Sequence, residues 1–186
     1  MSKIEANTID SVSGTSTLTL GSSNASTIAL GSGDVQSNFL YPAFEAYRSS
    51  NQTPSNSTNT KIQFNTEVFD TDNCYDNSTN FRFTPTVAGK YFVYGSLRGD
   101  GESQTDLEYI QLEIKKNNST HKVIVVEYGS TNDIDNSTIT INAVVDMNGS
   151  SDYLELFSYL TSSAQPTILG NSSKPTAFGA YRIIGA

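Results

Sequence analysis

The chain's one histidine, His121, stands in NNSTHKV, and its one cysteine, Cys74, in DTDNCYD. A hydrolytic triad needs a histidine beside a nucleophile held on a sharp turn. Serines are plentiful, but nucleophile-elbow spacing surrounds none of them, and His121 reads as a solvated residue where a turn enters a strand. The acidic neighbours of Cys74 raise its thiol pKa and blunt it as a nucleophile, so it reads as a small, partly buried residue. Asp70, Asp72 and Asp76 are spaced like the opening of a calcium loop. Cys74 and Tyr75 stand where that loop needs an oxygen ligand and a glycine, and Phe81 stands where it needs a closing glutamate, which excludes an EF-hand. A looser calcium site at Asp133 and Asp135 is set against the ordinary reading of acidic loop tips as solvated. The residues thus predict no enzyme, no cofactor and no metal centre.

Three further signals concern binding. Arg98-Gly99-Asp100 matches the tripeptide that integrins read, yet RGDG also makes ordinary sense as a glycine-rich turn. Asn-x-Ser/Thr triplets at Asn56, Asn77, Asn136 and Asn171 follow from a composition rich in Asn, Ser and Thr, and mark polar surface loops. Tyrosine with Asn and Asp on loops suits stacking on saccharides and hydrogen bonding to them. YDNSTN and STNDIDNS have that composition, but no single receptor-binding residue stands out.

What must position these residues is a β-protein. The chain has 186 residues, 36% hydrophobic, enough for one full-sized domain and a small extra piece. Its formal net charge of −8 repels nucleic acid, and the eleven Lys and Arg form no basic stripe. Residues 11–33 carry no charge but are too rich in Ser, Thr and Gly to enter a membrane. With one cysteine no internal disulfide forms, and MSKIEANTID has no apolar run of a secretory signal. The expectation is a chain made in a reducing cytoplasm, or assembled there into something larger.

Period-two patterns recur from Lys61 onward. Ile110, Leu112 and Ile114 share one face of LEYIQLEIKK, and Ile139, Ile141, Ala143, Val145 and Met147 share one face of TITINAVVDM. KVIVVEY and KIQFNTEVF are strand-like, and turn clusters such as DNSTN, KNNST and MNGSSD separate the runs. The pattern predicts an all-β sandwich. Two strands are apolar on both sides. In KYFVYGSL, Tyr91, Val93 and Leu97 oppose Phe92 and Tyr94. In DYLELFSYL, Leu154, Leu156 and Leu160 oppose Tyr153, Phe157 and Tyr159. An antiparallel sheet normally wets one face, so a second surface must cover the other: a neighbouring subunit or, equally for DYLELFSYL, a loop folded over it.

The amino-terminal segment repeats itself. Thr17-Leu18-Thr19-Leu20-Gly21 returns as Thr27-Ile28-Ala29-Leu30-Gly31. A five-residue strand with two apolar positions cannot bury itself, but three copies around one axis can pool Leu18, Leu20, Ile28 and Leu30 into a narrow core. Read this way, residues 1–38 are an attachment and β-repeat stem segment; the other reading is a flexible Ser/Gly-rich linker.

PAFEAYRS, IQFNTEVFD, YDNSTNFRFTPTVAGKYFVYGSL, YIQLEIKKN, SSDYLELFSYL and TAFGAYRII follow one another in order. Together they resemble the globular head of the complement 1q type and its tumour-necrosis-factor-like relatives, over roughly four fifths of the chain, with the head at residues 39–186. The resemblance implies a jelly-roll β-sandwich that assembles as a homotrimer. It places Phe92 and Tyr94 toward the threefold axis with Tyr181, and Thr140, Asn142 and Val144 along the same surface. Tyr91 and Val93 fill the subunit core. No Gly-X-Y run, the usual stem of vertebrate relatives, precedes this head. The opening repeat looks instead like the start of bacteriophage tail-fibre and other virion structural proteins.

The expected function is therefore a virion structural protein: a trimeric fibre or decoration knob, held to other virion proteins by its amino-terminal segment and adhering to a host-surface glycan. A secreted ligand of the complement 1q or tumour-necrosis-factor type, or a lectin-like binding protein, is the alternative. A fibre-borne glycan depolymerase is a further one, and it would need a carboxylate pair about 5–10 Å apart in a groove.

Overall fold

The alternation of KYFVYGSLRGD becomes β6 (Gly89–Asp100), the long central strand around which the fold is built. Its odd-numbered residues Tyr91, Val93 and Leu97 are fully buried, and its even-numbered residues Phe92 and Tyr94 point the other way. The structure, a computed structural model, describes residues 42–101, 107–130 and 134–183. The proposed stem core, Leu18, Leu20, Ile28 and Leu30, lies outside the described residues, as does Asp133.

Among the described residues every regular element is a strand, and they form two antiparallel sheets. In the first sheet β6 pairs on one side with β12 (Ala177–Arg182) and the short β11 (Thr167–Ile168). On the other side it pairs along its whole length with β9 (Asn136–Met147). Next to β12 lie β1 (Ala43–Tyr47) and then β3 (Thr66–Asp70) at the edge. The second sheet runs β4 (Tyr75–Asp76), β5 (Arg82–Phe83), β10 (Leu154–Ser162), β7 (Leu107–Lys116), β8 (Ser119–Glu127), and β2 (Thr60–Lys61) also pairs with β10. These partners are mostly remote in sequence, as a jelly roll requires. The β7–β8 hairpin is local. Asn117 and Asn118 both take positive φ (51° and 65°), the two-residue turn whose twist matches the strands it joins.

The two sheets close on one core. Phe44 is its hub: its ring stacks on Tyr75 and Phe83 at centroid distances of 4.6 and 4.5 Å and meets Phe178 edge-on at 4.9 Å. Ile110, Leu112 and Ile114 from β7 and Leu154, Leu156 and Leu160 from β10 face it from the second sheet. Gly95 turns inward on β6, where a Cβ would fall 2.3 Å from Leu156 Cδ1, so the sheets approach most closely where the side chain is missing. The shared faces expected of LEYIQLEIKK and TITINAVVDM are buried, except that Ala143 is half-buried.

Several expectations need correcting. RGD does not lie in a turn: Arg98, Gly99 and Asp100 end β6, and a Cβ on Gly99 would meet Leu160 and Ile110. The tripeptide is extended backbone paired with β9 and β11, not a projecting loop. KIQFNTEVF is not one strand. β2 and β3 flank residues 62–65, which anchor Ile62 and Phe64 in the core. Cys74 is not partly but almost wholly buried. Its thiol is pushed up to about 11, first by burial and then by Asp72 and Asp70. On the outer face of DYLELFSYL no loop among the described residues folds over the half-buried rings; Lys61 and Lys115 lie over Phe157, and Tyr109 packs edge-on against Tyr159. His121 stands in β8, exposed.

Candidate functional site

An antiparallel sheet facing water is expected to carry polar side chains on that face. The first sheet carries large apolar and aromatic groups among them. Register places Tyr181 of β12 beside Phe92 of β6 and Phe92 beside Val144 of β9. The next outward row is Glu45, Gly179, Tyr94 and Asn142; the one after it is Tyr47, Ala177, Ser96 and Thr140. All six residues singled out from the sequence for this surface therefore share one face in adjacent rows. Val144 is 51% exposed and Tyr181 39%, and Phe92 lies 5.5 Å from Tyr181 and 6.4 Å from Tyr94, ring to ring. Thr140 and Asn142 are also exposed.

The patch is held in shape by contacts the sequence did not suggest. Tyr94 lies across Gly179, where a Cβ would fall 2.3 Å from its ring, and its hydroxyl donates to Glu45 Oε2 at 2.8 Å. Burial, then the Glu45 hydrogen bond, raise the Tyr94 pKa well beyond that of an ordinary phenol. Glu45 also pairs with Lys174 at 3.8 Å, and Lys174 lies over the Tyr47 ring. At the opposite edge of the sheet Phe69 and Val68 are exposed as well.

A second apolar strip lies on β8, at the edge of the other sheet. Val123, Ile124 and Val125 are consecutive and each more than a third exposed, so both faces of that edge strand present apolar groups. Unpaired apolar edges invite further pairing or packing.

Among the described residues no cluster of His, Cys, Asp and Glu could hold a metal ion. Asp135 is exposed, and among the described residues its carboxylate accepts one long hydrogen bond, from Asn136. Glu113 and Glu155 are the buried carboxylates of the second sheet. Asn59 and Thr120 hydrogen-bond Glu113, Lys115 pairs with it, and Lys61 pairs with Glu155 at 2.5 Å. These carboxylates are held by partners.

The loops rich in Asn divide by what their amides do. Asn56 both donates to Ser162 O and accepts from Ser162 N, Asn171 accepts from Ser173 N, and Asn136 accepts from Arg98. Asp76 organises YDNSTN: its carboxylate accepts from the backbone N–H groups of Ser78, Thr79 and Asn80 and from the Asn80 amide. Those bonds, Thr79 first, hold its pKa far below the usual carboxylate range. A depressed folded-state pKa supplies stability that is present above the ordinary value and lost as pH falls below it. Melting temperature is therefore expected to fall as pH drops from about 5 to about 2.5, and to fall less in Asp76→Asn. An equal fall in both proteins would show that Asp76 does not anchor the loop. Tyr75, the aromatic residue of YDNSTN, is buried and donates to Phe64 O, so it offers no stacking platform to a sugar.

Comparison with solved structures assigns the architecture. Eiger TNF from S. frugiperda superposes with a TM-score of 0.56 at 13% identity, covering 79% of this chain and 95% of that one. The fold is a tumour-necrosis-factor-like jelly roll. Murine APRIL gives a TM-score of 0.55 at 10% identity over 76% of this chain and 98% of that one. No family model and no curated protein matches the chain. In this jelly roll, the outer faces of β6, β9 and β12 form the aromatic patch.

Proposed function

We propose that the protein is a non-enzymatic, homotrimeric binding head. The observation that carries this reading is the aromatic outer face of the first sheet, where a lone subunit leaves Val144 and Tyr181 exposed and Phe92 and Tyr94 half-buried. A ring of three needs two complementary surfaces at different places on each copy, because a head-to-tail contact closes only if unlike patches meet. Phe92, Tyr94, Tyr181 and Val144 supply one. The β8 edge, with Val123, Ile124 and Val125, supplies the other. Three heads on one axis then bind weakly at each site and strongly together, through effective concentration.

Within that class we assign the head to a virion, as a fibre tip or decoration knob that adheres to host-surface glycan. The amino-terminal segment holds it to other virion proteins. The strand-turn repeat and the unpaired cysteine of the sequence support this reading. Depolymerase activity is disfavoured because Asp76 is bonded to its own loop and the buried Glu113 and Glu155 are held by Asn59, Thr120, Lys115 and Lys61. The likeness to Eiger TNF and APRIL favours a second reading, a secreted trimeric ligand. An antibody to the purified head separates the two. In the source culture it is expected to label particles under electron microscopy; label confined to particle-free medium would overturn the virion assignment.

A further inference from the structure

A cleft of about 530 Å³ opens between β3, the segment 73–80 and β5. That is within the size range of small-molecule sites. Its walls are polar: Glu67 on β3, Asn73 and Asn77 on the loop, Arg82 on β5 and Thr84 just beyond. Two carboxylates fix the loop beforehand. Asp70 accepts from the Tyr75 and Asp72 N–H groups, and Asp76 accepts from Ser78, Thr79 and Asn80. These bonds, with those from the Ser78 hydroxyl and the Asn80 amide to Asp76, use the loop's own donors and leave the side chains of Glu67, Asn73 and Asn77 without a hydrogen bond among the described residues. The Arg82 guanidinium stacks over Tyr153 at 4.6 Å and pairs with no carboxylate among the described residues. The Asn77 amide, unlike those of Asn56, Asn136 and Asn171, makes no hydrogen bond among the described residues.

We infer that this cleft is a binding site for a neutral saccharide. The argument is one of complementarity. Arg82 only donates, Glu67 as a carboxylate only accepts, and the two asparagine amides do both. Adjacent sugar hydroxyls each give and take a hydrogen bond, so they can satisfy such a mixed set. A ligand bearing a carboxylate or phosphate would bring its charge toward Glu67, Asp70 and Asp76, with Arg82 the one cation among the lining residues to oppose them. An apolar peptide would find little apolar wall. The loop YDNSTN that composition marked as sugar-like is the one that builds the cleft. The rigidity given by Asp70 and Asp76 lowers the ordering cost of binding.

This inference takes its ligand class from the adhesive reading above, but its test requires neither trimer nor particle. Saturation-transfer NMR would be recorded on the full chain with D-glucose, D-galactose, D-mannose and N-acetyl-D-glucosamine at millimolar concentration. N-acetylneuraminic acid serves as the anionic comparison. At least one neutral sugar is expected to receive saturation more strongly than the acid. Asn77→Ala and Arg82→Gln, each confirmed folded by its thermal melt, are expected to weaken that sugar by roughly tenfold, since each removes a hydrogen-bonding group worth about 1.4 kcal/mol. His121→Ala on β8 is expected to change nothing. Transfer to no neutral sugar, stronger transfer to the acid, or binding indifferent to both cleft substitutions would each overturn the assignment. None of those outcomes bears on the head's oligomeric state or on particle labelling, which judge the adhesive reading separately.

Discussion

Tyr94→Asp is expected to leave a folded monomer in place of the proposed trimer. Tyr94 lies at the middle of the outer face, between Gly179 and Asn142, with its ring over the Gly179 backbone. Aspartate removes the ring, places a second carboxylate beside Glu45, and in the proposed assembly puts one such charge into each of the three desolvated contacts. Burying an unpaired charge costs several kcal/mol per site, more than one contact can return. Tyr94 faces away from the subunit core, so strand pairing and core packing survive. Circular dichroism should therefore keep its β signature while the sedimentation coefficient falls to that of one chain. Tyr94→Phe is the control: it keeps the ring, loses only the hydrogen bond to Glu45, and should stay assembled. A Tyr94→Asp protein that remains trimeric with unchanged melting would place the contact elsewhere.

Phe44→Ala is expected to produce the largest loss of stability. Phe44 is fully buried and touches aromatic rings from both sheets: Phe178 on β12, Tyr75 on β4 and Phe83 on β5. Truncation removes the transfer energy of the ring and leaves a cavity that strands on opposite sheets cannot easily collapse into. The cost is about 3–5 kcal/mol, a large part of the ~5–15 kcal/mol that holds an ordinary domain together. Urea unfolding of wild type and variant at one protein concentration measures it, because assembly makes apparent stability depend on concentration. A difference below about 1 kcal/mol would show that the two sheets do not meet through Phe44.

What could be read from the sequence was whatever depends on neighbours along the chain. Period two put Tyr91, Val93 and Leu97 on one face of β6 and Phe92 and Tyr94 on the other, and the burial of each follows it. The same local rule gave the buried faces of β7 and most of β9. What depends on remote partners could not be read. RGD looks like a turn by composition, yet pairing with β9 and β11 extends it. Phe157 looks uncovered until Lys61, 96 positions earlier, and Lys115 fold their stems over it. Tyr75 looks like an exposed sugar platform until the ring of Phe44 stacks on it. The cleft is an intermediate case. Its residues are close in sequence and their composition was telling. Which asparagines remain free for a ligand depends on what Asp70 and Asp76 accept, and only the folded loop decides that.

The central claim is that a face greasy enough to need hiding is hidden by copies of itself. Sedimentation equilibrium of the purified chain at micromolar concentration tests it most directly. The account predicts one species of about three times the 20.1 kDa chain mass, closed into a ring so that no higher species grows with concentration. A single species at the mass of one chain, with Phe92, Tyr94 and Tyr181 left in water, would contradict it.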